Sequence, residues 1–155
     1  MKLNLLSRDD FTFQAKNFDF TDHLVILRLA TGLFMLPHAF SKFVDWASAA
    51  RTVGFFGKAG FQPAEFWVWM AGGSEFTFSV LLVLGICSRW AALGLASVMV
   101  VATYAVFALK GFVWLAPAGG FEYSVFYGVM LIALAVGEFQ RKPLFVATPV
   151  PAHAF

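Results

Sequence analysis

Four long apolar segments constrain what this chain can fold into. They run roughly through residues 24–43, 65–86, 90–109 and 122–139, and each approaches the length of about 20 helical residues that crosses a hydrocarbon core. Hydrophobic residues make up 60% of the 155 residues and charged residues 13%, which is outside the usual composition of a soluble domain. The short connection CSR between the second and third segments forces an antiparallel hairpin. We therefore predict an all-α fold, an integral membrane four-helix bundle.

The segments outside the spans complete the domain organisation. The stretch SRDDFTFQAKNFDFTDH alternates phenylalanines with polar side chains, and it is too polar to span a membrane, so it suits an interfacial N-terminal segment. The link DWASAARTVGFFGKAGFQP predicts a short amphipathic helix in the first loop, followed by a turn near Pro63. We divide the chain into an interfacial segment (1–23), a four-span membrane domain (24–143) and a tail (144–155).

The basic side chains indicate an orientation. The end of the bundle with both termini and the CSR turn holds more Lys and Arg than the opposite end, so the positive-inside bias favours both termini in the cytoplasm. No run of basic residues predicts a nucleic-acid partner, and the single cysteine, Cys87, excludes an intramolecular disulfide. The first end carries Lys2, Arg8, Lys16, Arg89, Arg141 and Lys142, and the opposite end carries Lys42, Arg51, Lys58 and Lys110.

Charged and polar side chains inside the spans are the candidate site. In the first span, His38 and Lys42 are four positions apart and share a helix face, and Arg28 lies close to four full turns before Lys42 on that face. Glu75 falls near the middle of the second span, where an unpaired carboxylate costs several kcal/mol, so it must face the bundle interior. Glu122 opens the fourth span. We predict a site with Glu75 at its centre, Arg28 deep on one side, and His38, Lys42 and Glu122 around an outward-facing mouth.

Each of these residues also has a structural interpretation. The long side chain of Arg28 could snorkel to the headgroups, or it could pair with Glu75 as a structural clamp. Lys42 and Glu122 could be ordinary interfacial residues. His38 is the stronger site candidate, because it follows a proline that frees a backbone carbonyl and because imidazole exchanges a proton near neutral pH.

Other kinds of site have weaker support in the sequence. Tyr104 and the aromatic faces of the third and fourth spans could line a pocket for a flat ring, although such aromatics more often face lipid or core. A haem between two histidines would need a partner for His38 at similar depth, but His23 is expected at the opposite face. His, Cys and acidic residues do not recur at metal-site spacing, so we expect no metal site and no intrinsic cofactor.

Several motifs resemble the DoxX family of membrane proteins. RLATGLFMLPHAFSKF is similar to the opening signature of that family, with Arg, Gly, His and Lys at this spacing. Further elements agree in order: AGFQP, GGSEFTFSVLLVLGICSRWAA, Gly111–Phe112 and GGFEYSVFYGVMLIAL. The resemblance covers about residues 24–143. One element departs from it, because relatives often carry a histidine shortly before the Gly-Phe, where this chain has YAVFALKGF, so a mechanism that needs two histidines is in doubt here.

The resemblance implies a four-helix protein of a bacterial-type inner membrane that is associated with a redox system. Relatives include the membrane partner of thiosulfate:quinone oxidoreductase, so a bound quinone or similar small molecule in an intramembrane polar pocket is the leading hypothesis. The chain would be at most a subunit of a quinone-linked oxidoreductase, because electron transfer needs a cofactor in a partner. On this hypothesis the catalytic residues are His38 and Glu75, and the binding residues are Arg28, Lys42, Glu122 and Tyr104.

A non-catalytic role is the alternative. A chain of 17.1 kDa without a cofactor motif also suits a small structural or assembly subunit of a larger membrane complex. In that case the aromatic surface packs against other membrane or redox subunits, and the buried charges lock one helix arrangement. The two hypotheses are compatible, and the sequence leaves both open.

Overall fold

The computed structural model describes residues 2–3, 6–115, 117, 119–142 and 145–146. This part of the chain forms a helical bundle, which confirms the predicted all-α class. Two short strands, β1 (Lys2–Leu3) and β2 (Phe145–Val146), pair antiparallel, so the two-residue β2 belongs to what we predicted as a tail. The rest of that tail lies outside the described residues. The helices are α1 (His23–Ser41), α2 (Trp46–Lys58), α3 (Ala64–Leu84), α4 (Ser88–Lys110) and α5 (Glu122–Arg141).

Four of these helices are long and apolar enough to cross a membrane, namely α1, α3, α4 and α5. Helix α2 has 13 residues and is the short amphipathic helix predicted in the first loop. The spans pack around a core of leucines that have no exposed surface: Leu82, Leu95, Leu131 and Leu134. Large apolar side chains such as Phe34 and Val100 point outward from the same helices, as contact with lipid requires. The chain is therefore a multi-pass membrane protein.

Local sequence signals fix where the helices begin and end. The carboxylates of Asp22 and Asp45 each accept a hydrogen bond from the backbone N–H two residues later, so they cap α1 and α2. Pro63 precedes α3 at the predicted turn. Gly85 ends α3 in the left-handed region at φ 74°, which lets the chain reverse into α4 within a few residues.

Helices α1 and α3 approach closely at two glycines. A Cβ on Gly32 of α1 would come within 3.0 Å of the Ser79 carbonyl oxygen on α3. A Cβ on Gly72 of α3 would lie 3.3 Å from the Cβ of Lys42. These contacts hold the two antiparallel helices together along their length and bring the end of α1 against the first half of α3.

The bundle has two distinct ends, which we name for the segments found there. The terminal end comprises residues 6–22, the turn between α3 and α4, and the last turn of α5. The loop end comprises α2 and the link at 111–121. This link folds back on itself, since the N–H of Phe121 donates to the carbonyl of Val113 and the N–H of Glu122 to that of Trp114.

Candidate functional site

An ion pair between Lys42 and Glu75 lies in the loop half of the bundle. Lys42 caps the end of α1, and Glu75 lies about 16 Å along α3 from its loop end. Helical side chains tilt toward the N-terminus of their own helix, and the two helices are antiparallel. The Lys42 side chain therefore tilts into the bundle while that of Glu75 tilts toward the loop end, and Lys42 Nζ donates a hydrogen bond to Glu75 Oε2.

The pair is largely shielded. The side chains of Lys42 and Glu75 are 14% and 7% exposed. Lys42 Nζ also donates to the backbone carbonyl of His38 at 3.3 Å, so this charge has a second acceptor. Removing either partner of a buried pair leaves an uncompensated charge, which costs more than the pair contributes. The contributions of the two residues to stability are thus coupled.

His38 lies one turn before Lys42 and faces α5. Its Nε2 atom is 3.4 Å from the hydroxyl of Tyr123, and the two ring centroids are 5.5 Å apart. Tyr127, one turn further along α5, donates its hydroxyl hydrogen to the backbone carbonyl of Thr31. Sequence reasoning missed Tyr123, and the available signal was weak: a tyrosine in the first turn of the fourth span, at the end where His38 was expected.

A cavity of about 350 Å³ adjoins the ion pair. Helices α1 and α3 supply its charged and titratable side chains, and the apolar side chains of α4 and of Phe55 and Phe56 on α2 close it on the other sides. The cavity thus has charged and titratable groups from α1 and α3, hydroxyl groups from α1 and α2, and an apolar wall from α4. Its polar lining consists of His38, Ser41, Lys42, Ser48, Thr52 and Glu75.

Arg28 does not belong to this cluster. Its guanidinium lies at the terminal end, where it donates to the carbonyls of Leu82 and Val83 in the last turn of α3 and to the carbonyl of Asn17. A cation there satisfies orphan carbonyls and interacts favourably with the helix dipole. The residue is 2% exposed, so Arg28 neither pairs with Glu75 nor snorkels to the headgroups. Neither alternative that the sequence left open for Arg28 holds, because its guanidinium is bonded to backbone carbonyls at the end of α3 and at Asn17.

Two further predicted binding residues lie away from the cavity. Glu122 begins α5 at the loop end, as expected, but it is not among the described residues that line the cavity beside Glu75. Tyr104 is 58% exposed, meets the ring of Phe61 edge-on, and lines a separate apolar groove between α4 and α5. The structure thus brings together His38, Lys42 and Glu75, and separates Arg28, Glu122 and Tyr104 from them.

A second charged cluster, which sequence reasoning missed, lies at the terminal end. Asp10 and Arg89 are each 1% exposed and form an ion pair of 3.0 Å, and Lys142 Nζ donates to the other Asp10 oxygen at 3.1 Å. The backbone N–H and the hydroxyl of Ser7 also donate to Asp10, at 2.7 and 3.0 Å. Burial alone would raise the pKa of Asp10, but the hydrogen bonds from Ser7 and Lys142 outweigh it and hold that pKa below its ordinary value.

Cys87 lies beside this terminal cluster. Its backbone N–H donates to the carbonyl of Asp10 at 2.7 Å. Burial raises the pKa of the Cys87 thiol, so it stays protonated near neutral pH and is a poor nucleophile. Among the residues described, no group of three His, Cys, Asp or Glu side chains is placed to hold a metal ion.

The DoxX family model matches residues 23–108, which is more than half of the chain. The match covers α1, α2, α3 and nearly all of α4, and therefore the His38, Lys42 and Glu75 positions, whereas α5 lies beyond it. No curated protein and no solved structure matches the chain. The match includes the motifs RLATGLFMLPHAFSKF, AGFQP and GGSEFTFSVLLVLGICSRWAA, whereas Gly111–Phe112 and GGFEYSVFYGVMLIAL lie beyond it. The chain belongs to the DoxX family.

Proposed function

We propose that this DoxX protein is a membrane subunit associated with a redox system, and that it binds a quinone or a similar ring with hydrogen-bonding carbonyls in the cavity beside Glu75. Members of the family are often associated with redox systems. The observation that carries the proposal is the shielded Lys42–Glu75 pair on the wall of a cavity within the spans. Ionisable groups at such depth are costly, and they usually mark functional sites.

The chemistry of the cavity suits a quinone headgroup. The volume of about 350 Å³ is at the lower end of the range of ligand pockets, which is about 300–1,000 Å³. A quinone carbonyl needs a hydrogen-bond donor, which Lys42 and His38 supply, and the apolar wall accommodates the ring. Oxidation of a quinol releases protons, and the carboxylate of Glu75 or the imidazole of His38 accepts them at the cavity wall.

Electron transfer would require a flavin, haem or metal centre in a partner subunit. The role proposed for this chain is accordingly to bind the quinone and to hold or move its protons. Because Lys16, Arg89, Arg141 and Lys142 lie at the terminal end, the positive-inside bias supports cytoplasmic termini in a bacterial-type inner membrane.

The proposal is tested by binding a short-chain quinone to the purified protein in nanodiscs, followed by quenching of tryptophan fluorescence. We expect His38→Ala to raise the Kd at least about tenfold, the loss of about 1.4 kcal/mol. His23→Ala is the matched control, since His23 is an exposed histidine at the other end of α1. Equal Kd values for wild type and both variants, or no binding by wild type, would contradict the proposal.

A non-catalytic assembly subunit remains the second candidate function. The exposed aromatic side chains do not favour it, since contact with lipid requires the same surface. Purification from native membranes separates the two functions. A quinone that is retained by wild type and lost from His38→Ala supports the quinone site, whereas partner subunits retained equally by both, without a quinone, support the assembly role.

A further inference from the structure

The two halves of the bundle differ in how tightly they pack. Large side chains with almost no exposed surface are concentrated toward the terminal end, among them Leu82, Leu95 and Leu134. The loop half also has buried side chains, including Met35 and the small Ala39 and Ala105. The cavity beside Glu75 is lined from the last two turns of α1, the first half of α3, the second half of α4 and α2, so it lies in the loop half.

The terminal end is closed by hydrogen bonds as well as by apolar packing. Arg28 links the end of α3 to the carbonyl of Asn17, and Asn17 Nδ2 donates to the carbonyl of Leu84 at 3.2 Å. The Asp10–Arg89 pair then holds residues 6–22 against the start of α4. The N-terminal segment thereby covers the terminal end, and its Asp10 and Asn17 are bonded to the helices beneath it.

At the loop end, the outer wall of the cavity includes polar side chains. Helix α2 forms that wall and contributes the hydroxyl-bearing Ser48 and Thr52 to the cavity lining. The imidazole of His38 is exposed, and Lys42 is more exposed than the buried charges of the terminal end. A polar lining that continues to an exposed imidazole is the kind of surface that water enters.

From this asymmetry we propose that the cavity beside Glu75 exchanges protons and water-soluble molecules with the loop side of the membrane alone, along the inner face of α2. The inference rests on the proposed function for the identity of the ligand, and on the packing for the direction of access. A quinol bound there would release its protons on the loop side.

The single native cysteine makes the direction of access measurable. In a Cys87→Ser background, Thr52→Cys and Glu75→Cys report on the cavity, Arg51→Cys marks the loop side, and Thr21→Cys marks the terminal side. A membrane-impermeant thiol reagent is added to sealed vesicles of one orientation and then of the other. We expect both cavity cysteines to react at least about tenfold faster from the side on which Arg51→Cys reacts.

Ser79→Cys is the control for non-specific entry, since Ser79 has no exposed surface, and it should stay unreacted from both sides. Reaction of the cavity cysteines from the Thr21→Cys side, or from neither side, would overturn the inference. Because Glu75→Cys removes the partner of Lys42, Thr52→Cys decides the matter if the former does not fold.

Addition of a short-chain quinone to the same vesicles separates this inference from the proposed function. If labelling of Thr52→Cys occurs from the loop side and the quinone slows it, the quinone site and the direction of access are both supported. One-sided labelling that no quinone slows would support the direction of access and count against the quinone. Labelling from both sides that a quinone slows would support the bound quinone and count against one-sided access.

Discussion

Two shielded carboxylates in this bundle have different surroundings, Asp10 at the terminal end and Glu75 near the middle of α3. Asp10 receives hydrogen bonds from Arg89, Lys142 and twice from Ser7, and it lies in a packed region. Among the described residues, Glu75 receives its hydrogen bond from Lys42, and its side chain borders a cavity. A carboxylate whose acceptor sites are all used can only hold structure together, whereas one with free acceptor sites facing a cavity can bind a ligand or a proton.

The largest effect on stability should come from Asp10→Asn. The amide keeps the shape but removes the negative charge that both Arg89 and Lys142 contact, so we expect the free energy of unfolding to fall by about 3–5 kcal/mol. Thermal unfolding in detergent measures this loss. Asp45→Asn, at an exposed cap of α2, is the matched control and should cost about 1 kcal/mol or less. Equal losses for the two variants would show that the terminal cluster is not structural.

Acid pH should remove the same contribution without a mutation. The folded-state pKa of Asp10 lies below the ordinary value of 3.8, so its stabilisation is complete above that value and is lost as the pH falls through the folded pKa. We expect the melting temperature to be steady near neutral pH and to fall below about pH 4. Asp10→Asn should show a shallower fall, since Asp19 and Asp22, whose pKa values are also lowered, still contribute.

Replacement of Glu75, a carboxylate with free acceptor sites, should weaken ligand binding more than it lowers stability. In Glu75→Gln the amide oxygen still accepts from Lys42, which is partly exposed, so we expect a loss of stability of only about 1–3 kcal/mol. Quinol affinity should fall at least about tenfold, because the charged acceptor for a quinol hydroxyl is gone. A Glu75→Gln protein that unfolds as readily as Asp10→Asn but binds quinol normally would remove the distinction between the two clusters.

Substitution of Arg28 tests whether a charged residue within a span must belong to the site. Arg28→Lys keeps the charge but has one donor group where the guanidinium reaches three carbonyls, so we expect a loss of about 1–2 kcal/mol of stability. The Kd for quinone should stay within about twofold of wild type, since Arg28 lies at the far end of α1. A tenfold rise in that Kd would show that Arg28 contributes to the quinone site.

The sequence predicted the fold well because span length and hydropathy are local properties. It also placed His38, Lys42 and Glu75 in one inward-facing cluster, because a carboxylate at mid-span must face the bundle interior, but the partner it named for Glu75 was Arg28. It could not place Arg28, because the carbonyls it binds are backbone groups that appear only when α3 ends beside it. The Asp10 cluster was missed for a similar reason: it joins residues far apart in the chain, and only the packed terminal end brings them together.

The smallest expected effect concerns Tyr123. Its hydroxyl lies 3.4 Å from His38 Nε2, a long and exposed contact, so Tyr123→Phe should leave the melting temperature nearly unchanged. If this contact orients the imidazole toward the cavity, the Kd for quinone should rise about threefold, the equivalent of about 0.6 kcal/mol. Tyr127→Phe is the contrasting variant, because its buried hydroxyl bonds to Thr31 and supports packing. It should lower stability by about 1 kcal/mol while leaving the Kd unchanged, so a reversal of the two results would assign the positioning role to the buried tyrosine.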